Sequence, residues 1–136
     1  MYSKRTERLG AMKGFFYRMS GWNKLLERFP ADKEPDSNRF SGKTIAVGAV
    51  RYRRCATVSA SQQGLYLTAK VPLTSGNSPI LIPWREVKKI QKSWEPYIGE
   101  CIMLSIGEPE IGIIKLPMDV FNSTRPYLDP KIVQIT

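Results

Sequence analysis

The sequence predicts a mainly β protein with flanking helices: an antiparallel sheet, bent or closed into a barrel, with a short helix at its C-terminal end. Three observations carry this. Between Thr44 and Lys115, short β-type runs follow one another, separated by Gly, Pro, Ser and Asn. The connections between them are too short for crossover helices, so consecutive strands must pair antiparallel. Helical periodicity is confined to the two ends of the chain.

Each element has a local reason. Residues 1–10 are polar and basic, and residues 1–19 as a whole form a basic, aromatic N-terminal segment that contains Phe15-Phe16-Tyr17. Ser20 is a suitable N-cap. From there Trp22, Leu25, Leu26 and Phe29 fall at i, i+3, i+4 and i+7, an amphipathic stripe that Pro30 closes. The polar span Ala31 to Ser41 reads as a connection. Strands are then expected at Thr44–Val50, Arg51–Ala60 and Leu65–Val71, the last two joined by the tight turn Ser61-Gln62-Gln63-Gly64. A loop at Pro72–Ser78 leads into Ile80–Pro83. The run Val87–Trp94 fits either period, and the prolines at 83 and 96 favour a strand. Cys101–Ile106 and Ile111–Leu116 form two more strands around the turn Gly107-Glu108-Pro109-Glu110. Pro117 to Leu128 reads as a short helix, with Pro117 in its first turn, Asp119 near its positive end and Pro126 as its stop. The domain is expected to span residues 20–130, with a tail at 131–136.

A chain of 136 residues is one domain and buries roughly two thirds of its unfolded surface, so one core suffices. Its longest apolar runs, Ile80–Trp84 and Ile111–Ile114, fall far short of the roughly 20 residues that span a bilayer. No apolar stretch follows Lys4, Arg5 and Arg8, so no secretory signal is expected. The expected location is cytoplasmic, with peripheral attachment to a membrane. Cys55 and Cys101 are then expected to be reduced thiols.

Several function classes fall away. There is no histidine, which removes the commonest general base and the commonest transition-metal ligand. The carboxylates sit in turns and at strand ends without catalytic pairing, and no phosphate loop, Gly-x-Ser-x-Gly or Cys-x-x-Cys is present. Cys55 follows Arg54, but strand alternation sets the two on opposite faces, which argues for an inert thiol. The sequence therefore predicts no enzyme, no cofactor and no metal. The net charge of +9, concentrated in residues 1–60, favours an anionic partner.

The strand order, together with Ser20-Gly21-Trp22, Arg51-Tyr52, Gly64-Leu65-Tyr66-Leu67 and Pro79 to Trp84, resembles pleckstrin-homology-like and GRAM-like domains. More narrowly, it is similar to a group of small bacterial proteins from which no activity carries over. The resemblance covers residues 20 to 130 and implies a bent sheet closed by a C-terminal helix, and a binding or adaptor module. It also implies a candidate anionic-headgroup site. Phosphoinositide-binding pleckstrin-homology domains carry a Lys, a gap, then a basic pair separated by one residue, and this chain has Lys43 followed by Arg51-Tyr52-Arg53. Arg51 and Arg53 share one strand face, where guanidinium forks suit phosphate oxygens. The bland alternative is a solvated basic face.

A second candidate contact, with membrane or partner, is Lys13, Phe15, Phe16, Arg18 and Trp22, since rings and cations together suit a lipid interface. Here the alternative is that Trp22 and its helix simply cover the sheet. The partner readings are anionic lipid, a protein partner bound at a sheet edge or near Trp84, or a second copy of the chain. Single-stranded nucleic acid is less favoured: Tyr52, Ala56 and Val58 share a face and point to the core, leaving too few rings for stacking.

Overall fold

The computed structural model describes residues 21–35, 39–70 and 77–133. Helix α1 covers Trp22–Arg28, seven strands follow, and helix α2 covers Met118–Thr124. The strands are β1 (Arg39–Val47), β2 (Val50–Ser61), β3 (Gly64–Ala69), β4 (Asn77–Ile82), β5 (Val87–Glu95), β6 (Gly99–Ile106) and β7 (Gly112–Pro117). They form one antiparallel sheet in the order β4-β3-β2-β1-β7-β6-β5, curled into a half-barrel. The central join is short, since β1 meets β7 only through Ala46↔Lys115 and Val47↔Ile114, and it links a four-strand half to a three-strand half.

Alternation builds the core. Ile45, Val58, Leu67, Ile82, Ile102 and Leu116 come from six different strands and are essentially fully buried, and Phe121 of α2 joins them. The phrase at residues 64–67 has a steric cause. Gly64 has φ +148°, and a Cβ there would lie 2.2 Å from the Ile82 carbonyl oxygen, so only glycine lets β3 start this close to β4.

Helix α1 follows the expected stripe. Trp22 and Leu25 are buried, and Leu26 and Phe29 pack partly against the core. Its N-cap is Gly21, with φ 68°, and the expected cap Ser20 lies outside the described residues. Beyond Arg28 the chain turns along the outer edge of β4: Pro30 forms a bridge with Ile80, the Ala31 N–H donates to the Pro79 carbonyl, and the Leu81 N–H donates to the Phe29 carbonyl. That edge is thereby covered, and Pro79, which has no N–H to give, sits where an edge strand tolerates it.

Several boundaries differ from expectation, two strand starts among them. Strand β1 begins at Arg39 instead of Thr44, because the twelve-residue β2 offers partners as far as Ser59 for the polar start of β1. Strand β4 begins at Asn77, where it pairs with Ala69, instead of at Ile80. The ambiguous run 87–94 is a strand. Pro117 is the N-cap of α2, and the Arg125–Tyr127 turn around Pro126 ends the helical stretch. Trp84 finds its partners at this end: its indole N–H donates to the Ser61 carbonyl at 2.6 Å, and its ring stacks on Tyr127 at 5.4 Å. Cys55 and Cys101 form no disulfide.

Candidate functional site

The basic phrase on β2 is divided by an irregularity in the strand. Four residue steps on β2, from Tyr52 to Ala56, face only two on β1, from Ile45 to Lys43. The surplus is absorbed at Arg54, whose φ of 55° lies in the left-handed region and whose N–H donates to the Thr44 hydroxyl at 3.0 Å. Before this bulge Arg51 and Arg53 alternate outward while Tyr52 is buried, as expected.

Arg51 and Arg53 converge on one ring. The Arg53 guanidinium lies 3.8 Å from the centre of the Tyr97 ring, and that of Arg51 lies 5.5 Å from it. A ring face attracts a cation through its quadrupole, so the tyrosine holds the two like charges side by side. Arg51 also reaches Glu95 at 3.7 Å, and the same carboxylate takes Lys115 at 3.3 Å. Arg53 makes no ion pair among the described residues.

Tyr97 and Glu95 come from the tip of the β5–β6 hairpin and escaped the sequence reading. Tyr97 is 64% exposed with φ 71°, and Trp94, one strand position before Glu95, is 65% exposed. These are two of the three exposed large apolar side chains among the described residues. The available signal was an aromatic within the turn Pro96-Tyr97-Ile98-Gly99.

Lys43 does not join this group. It pairs in register with the buried Ala56, on the helix side of the sheet, and its ammonium binds the Asp119 carboxylate at the start of α2. That hydrogen bond is the first cause holding the Asp119 pKa below the usual carboxylate range. The three-residue headgroup site is thus reduced to two: β1 delivers Lys43 to the opposite face from Arg51 and Arg53.

Trp22 also requires correction as a membrane or partner contact. It is only 3% exposed, its indole N–H donates to the Ser78 carbonyl at 3.0 Å, and its ring lies 5.2 Å from Tyr52. Burial in the core removes it from any contact surface. Lys13, Phe15, Phe16 and Arg18 lie outside the described residues. The expected separation of Cys55 from Arg54 fails as well. The left-handed turn at Arg54 breaks the alternation, and both residues line one cleft on the outer face. Burial nonetheless pushes the Cys55 thiol up, which is opposite to what a reactive thiolate needs.

Among the described residues no group of three or more His, Cys, Asp or Glu is placed to hold a metal ion, and no helix is long and apolar enough to cross a membrane. No protein-family model matches the chain, and a search of the curated proteins found no match.

Proposed function

We propose that the chain is a non-catalytic binding module of pleckstrin-homology-like type that attaches peripherally to an anionic membrane surface. The observation that carries this reading is the pairing of Arg51 and Arg53 around Tyr97 at the tip of the β5–β6 hairpin, which also exposes Trp94. Tyr and Trp rings settle at the headgroup level, where their apolar bodies and polar tips are both satisfied. Guanidinium groups beside them meet lipid phosphates bidentately. The basic segment at residues 1–19, with Lys13, Phe15, Phe16 and Arg18, adds charge and rings to the same attachment.

The test is co-sedimentation with vesicles of phosphatidylcholine containing rising phosphatidylglycerol, at low and physiological salt. The full chain is expected to bind in proportion to anionic content and to release with salt. Arg51→Ala with Arg53→Ala is expected to weaken binding by about tenfold or more, at about 1 kcal/mol per basic residue near the surface. Unchanged binding by that variant and by Trp94→Ala would sink the reading.

A protein partner is the second reading, favoured by one observation: β5 pairs with β6 alone, and its other edge takes no strand among the described residues. An extended peptide could add there. Lys88, Lys89 and Lys92 on that strand are exposed, and lysines of this kind also guard edges against pairing.

A further inference from the structure

On the outer face of β1, β2 and β3 lies a cleft of about 530 Å³, a size that suits a small organic ligand. Its lining is cationic and hydroxylic: Arg39, Arg54 and Lys70 supply charge, and Ser41, Thr57 and Thr68 supply hydroxyls. One carboxylate, Glu34, also faces the cleft, and it is already engaged. Its two oxygens accept from the Arg39 guanidinium at 3.0 Å and the Ser59 hydroxyl at 3.4 Å. Arg54 and Lys70 make no ion pair among the described residues. Two cations of different kinds, a planar fork and a point charge, therefore stand over a floor of hydroxyls with no counter-charge of their own.

Arg54 reaches this position at a conformational cost. A non-glycine residue with φ 55° is disfavoured, and glycine would take the same turn freely. An arginine held in such a turn and lining this cleft is the pattern of a backbone irregularity that positions a side chain for binding.

We infer that this cleft is a second, independent site that binds a phosphorylated small molecule or headgroup through Arg54 and Lys70. A phosphate monoester or diphosphate offers several oxygens in a tetrahedral array, which matches a guanidinium, an ammonium and neighbouring hydroxyl donors better than a single carboxylate does. The remaining volume accommodates the organic portion. The site is distinct from the Arg51–Arg53–Tyr97 group, because the bulge at Arg54 turns the two sets of cations toward different neighbours.

Cys55 lines the same cleft and is half-buried, whereas Cys101 is 1% exposed, so thiol labelling reads the site directly in the unmodified protein. Pyrophosphate and inorganic phosphate are the soluble probes, and phosphatidylcholine vesicles containing phosphatidic acid are the lipid probe. Cys55 labelling by a maleimide is expected to slow when a probe binds. Affinity by titration calorimetry or co-sedimentation is expected to fall about tenfold or more in Arg54→Gly with Lys70→Gln, given the strength of hydrogen bonds to charged groups. Arg51→Ala with Arg53→Ala should leave the affinity for pyrophosphate within about twofold while weakening vesicle binding, which separates this site from the membrane reading. Protection by pyrophosphate assigns a soluble ligand, and protection by the vesicles alone assigns a lipid headgroup; either supports the site. Labelling that no probe slows, or binding that Arg54→Gly with Lys70→Gln does not weaken, would overturn it.

Discussion

Arg53 and Arg54 are neighbours in sequence and belong to different regions of the molecule. Arg53 lies against the Tyr97 ring at the tip of the β5–β6 hairpin, while Arg54 turns into the cleft with Lys70 and Cys55. One region satisfies its cations with a ring and a carboxylate; the other leaves two of them without a counter-charge among the described residues. The difference comes from two surplus residue steps on β2, which interrupt the period of two that would otherwise have set alternating faces. A count of basic residues therefore says little about which charges a ligand can reach.

The comparison breaks most completely from beneath. Both regions stand on β2, whose inner face rests on Trp22 through Tyr52. Trp22→Ala is expected to destabilise the fold by about 3–5 kcal/mol, as buried aromatic truncations do, read from the midpoint of urea unfolding. Ligand binding at both regions should be lost together with the fold. A small effect would mean that Trp22 is not the core residue its burial indicates, and would return it to the contact surface.

A sharper separation comes from glycine at each arginine. Arg54→Gly is expected to leave stability unchanged or raise it by about 1 kcal/mol, since it relieves a left-handed non-glycine residue. Arg53→Gly is expected to lower it by about 1 kcal/mol or more, because glycine weakens a strand interior and the Tyr97 contact is lost. Matching losses in both variants would show that Arg54 contributes packing of its own, and would weaken the case that its strained backbone serves a ligand.

The smallest effect concerns Lys43, the basic residue that the fold sends to the other face. Asp119 has a folded pKa below its unfolded value, so its contribution is present above the unfolded carboxylate range and is lost as pH falls through the folded value. The carboxylate is 51% exposed, so solvent screening keeps the contribution to a few tenths of a kcal/mol. Asp119→Asn is expected to flatten the stability curve slightly below about pH 4, by urea titration across pH. A flattening near neutral pH instead would point to a different titrating group.

Much of the architecture was legible because strands and helices leave periods in the sequence. The stripe from Trp22 to Phe29, the tight turn at Ser61–Gly64, the hairpin at Gly107–Glu110 and the short helix after Pro117 all carry their own local chemistry, and each stands where that chemistry points. The start of β1 at Arg39 was not legible, since polar residues paired only because β2 was long enough to receive them. The candidate site was legible in part. The shared face of Arg51 and Arg53 follows from alternation, but Tyr97 and Glu95 lie more than 40 positions away along the chain, and no local pattern ties them to β2.

What the sequence determined by itself was the set of elements and their order. Its alternating runs, its terminal helical stripes and its turn residues are properties of near neighbours, and they point to an antiparallel β fold with flanking helices. Tertiary structure alone decided which cations act together. The bulge at Arg54, the burial of Trp22, the capture of Lys43 by Asp119 and the meeting of Arg51 and Arg53 with Tyr97 all arise from strand register and sheet curvature. Those are set by long-range pairing, where a shift of one residue sends a side chain to the other face.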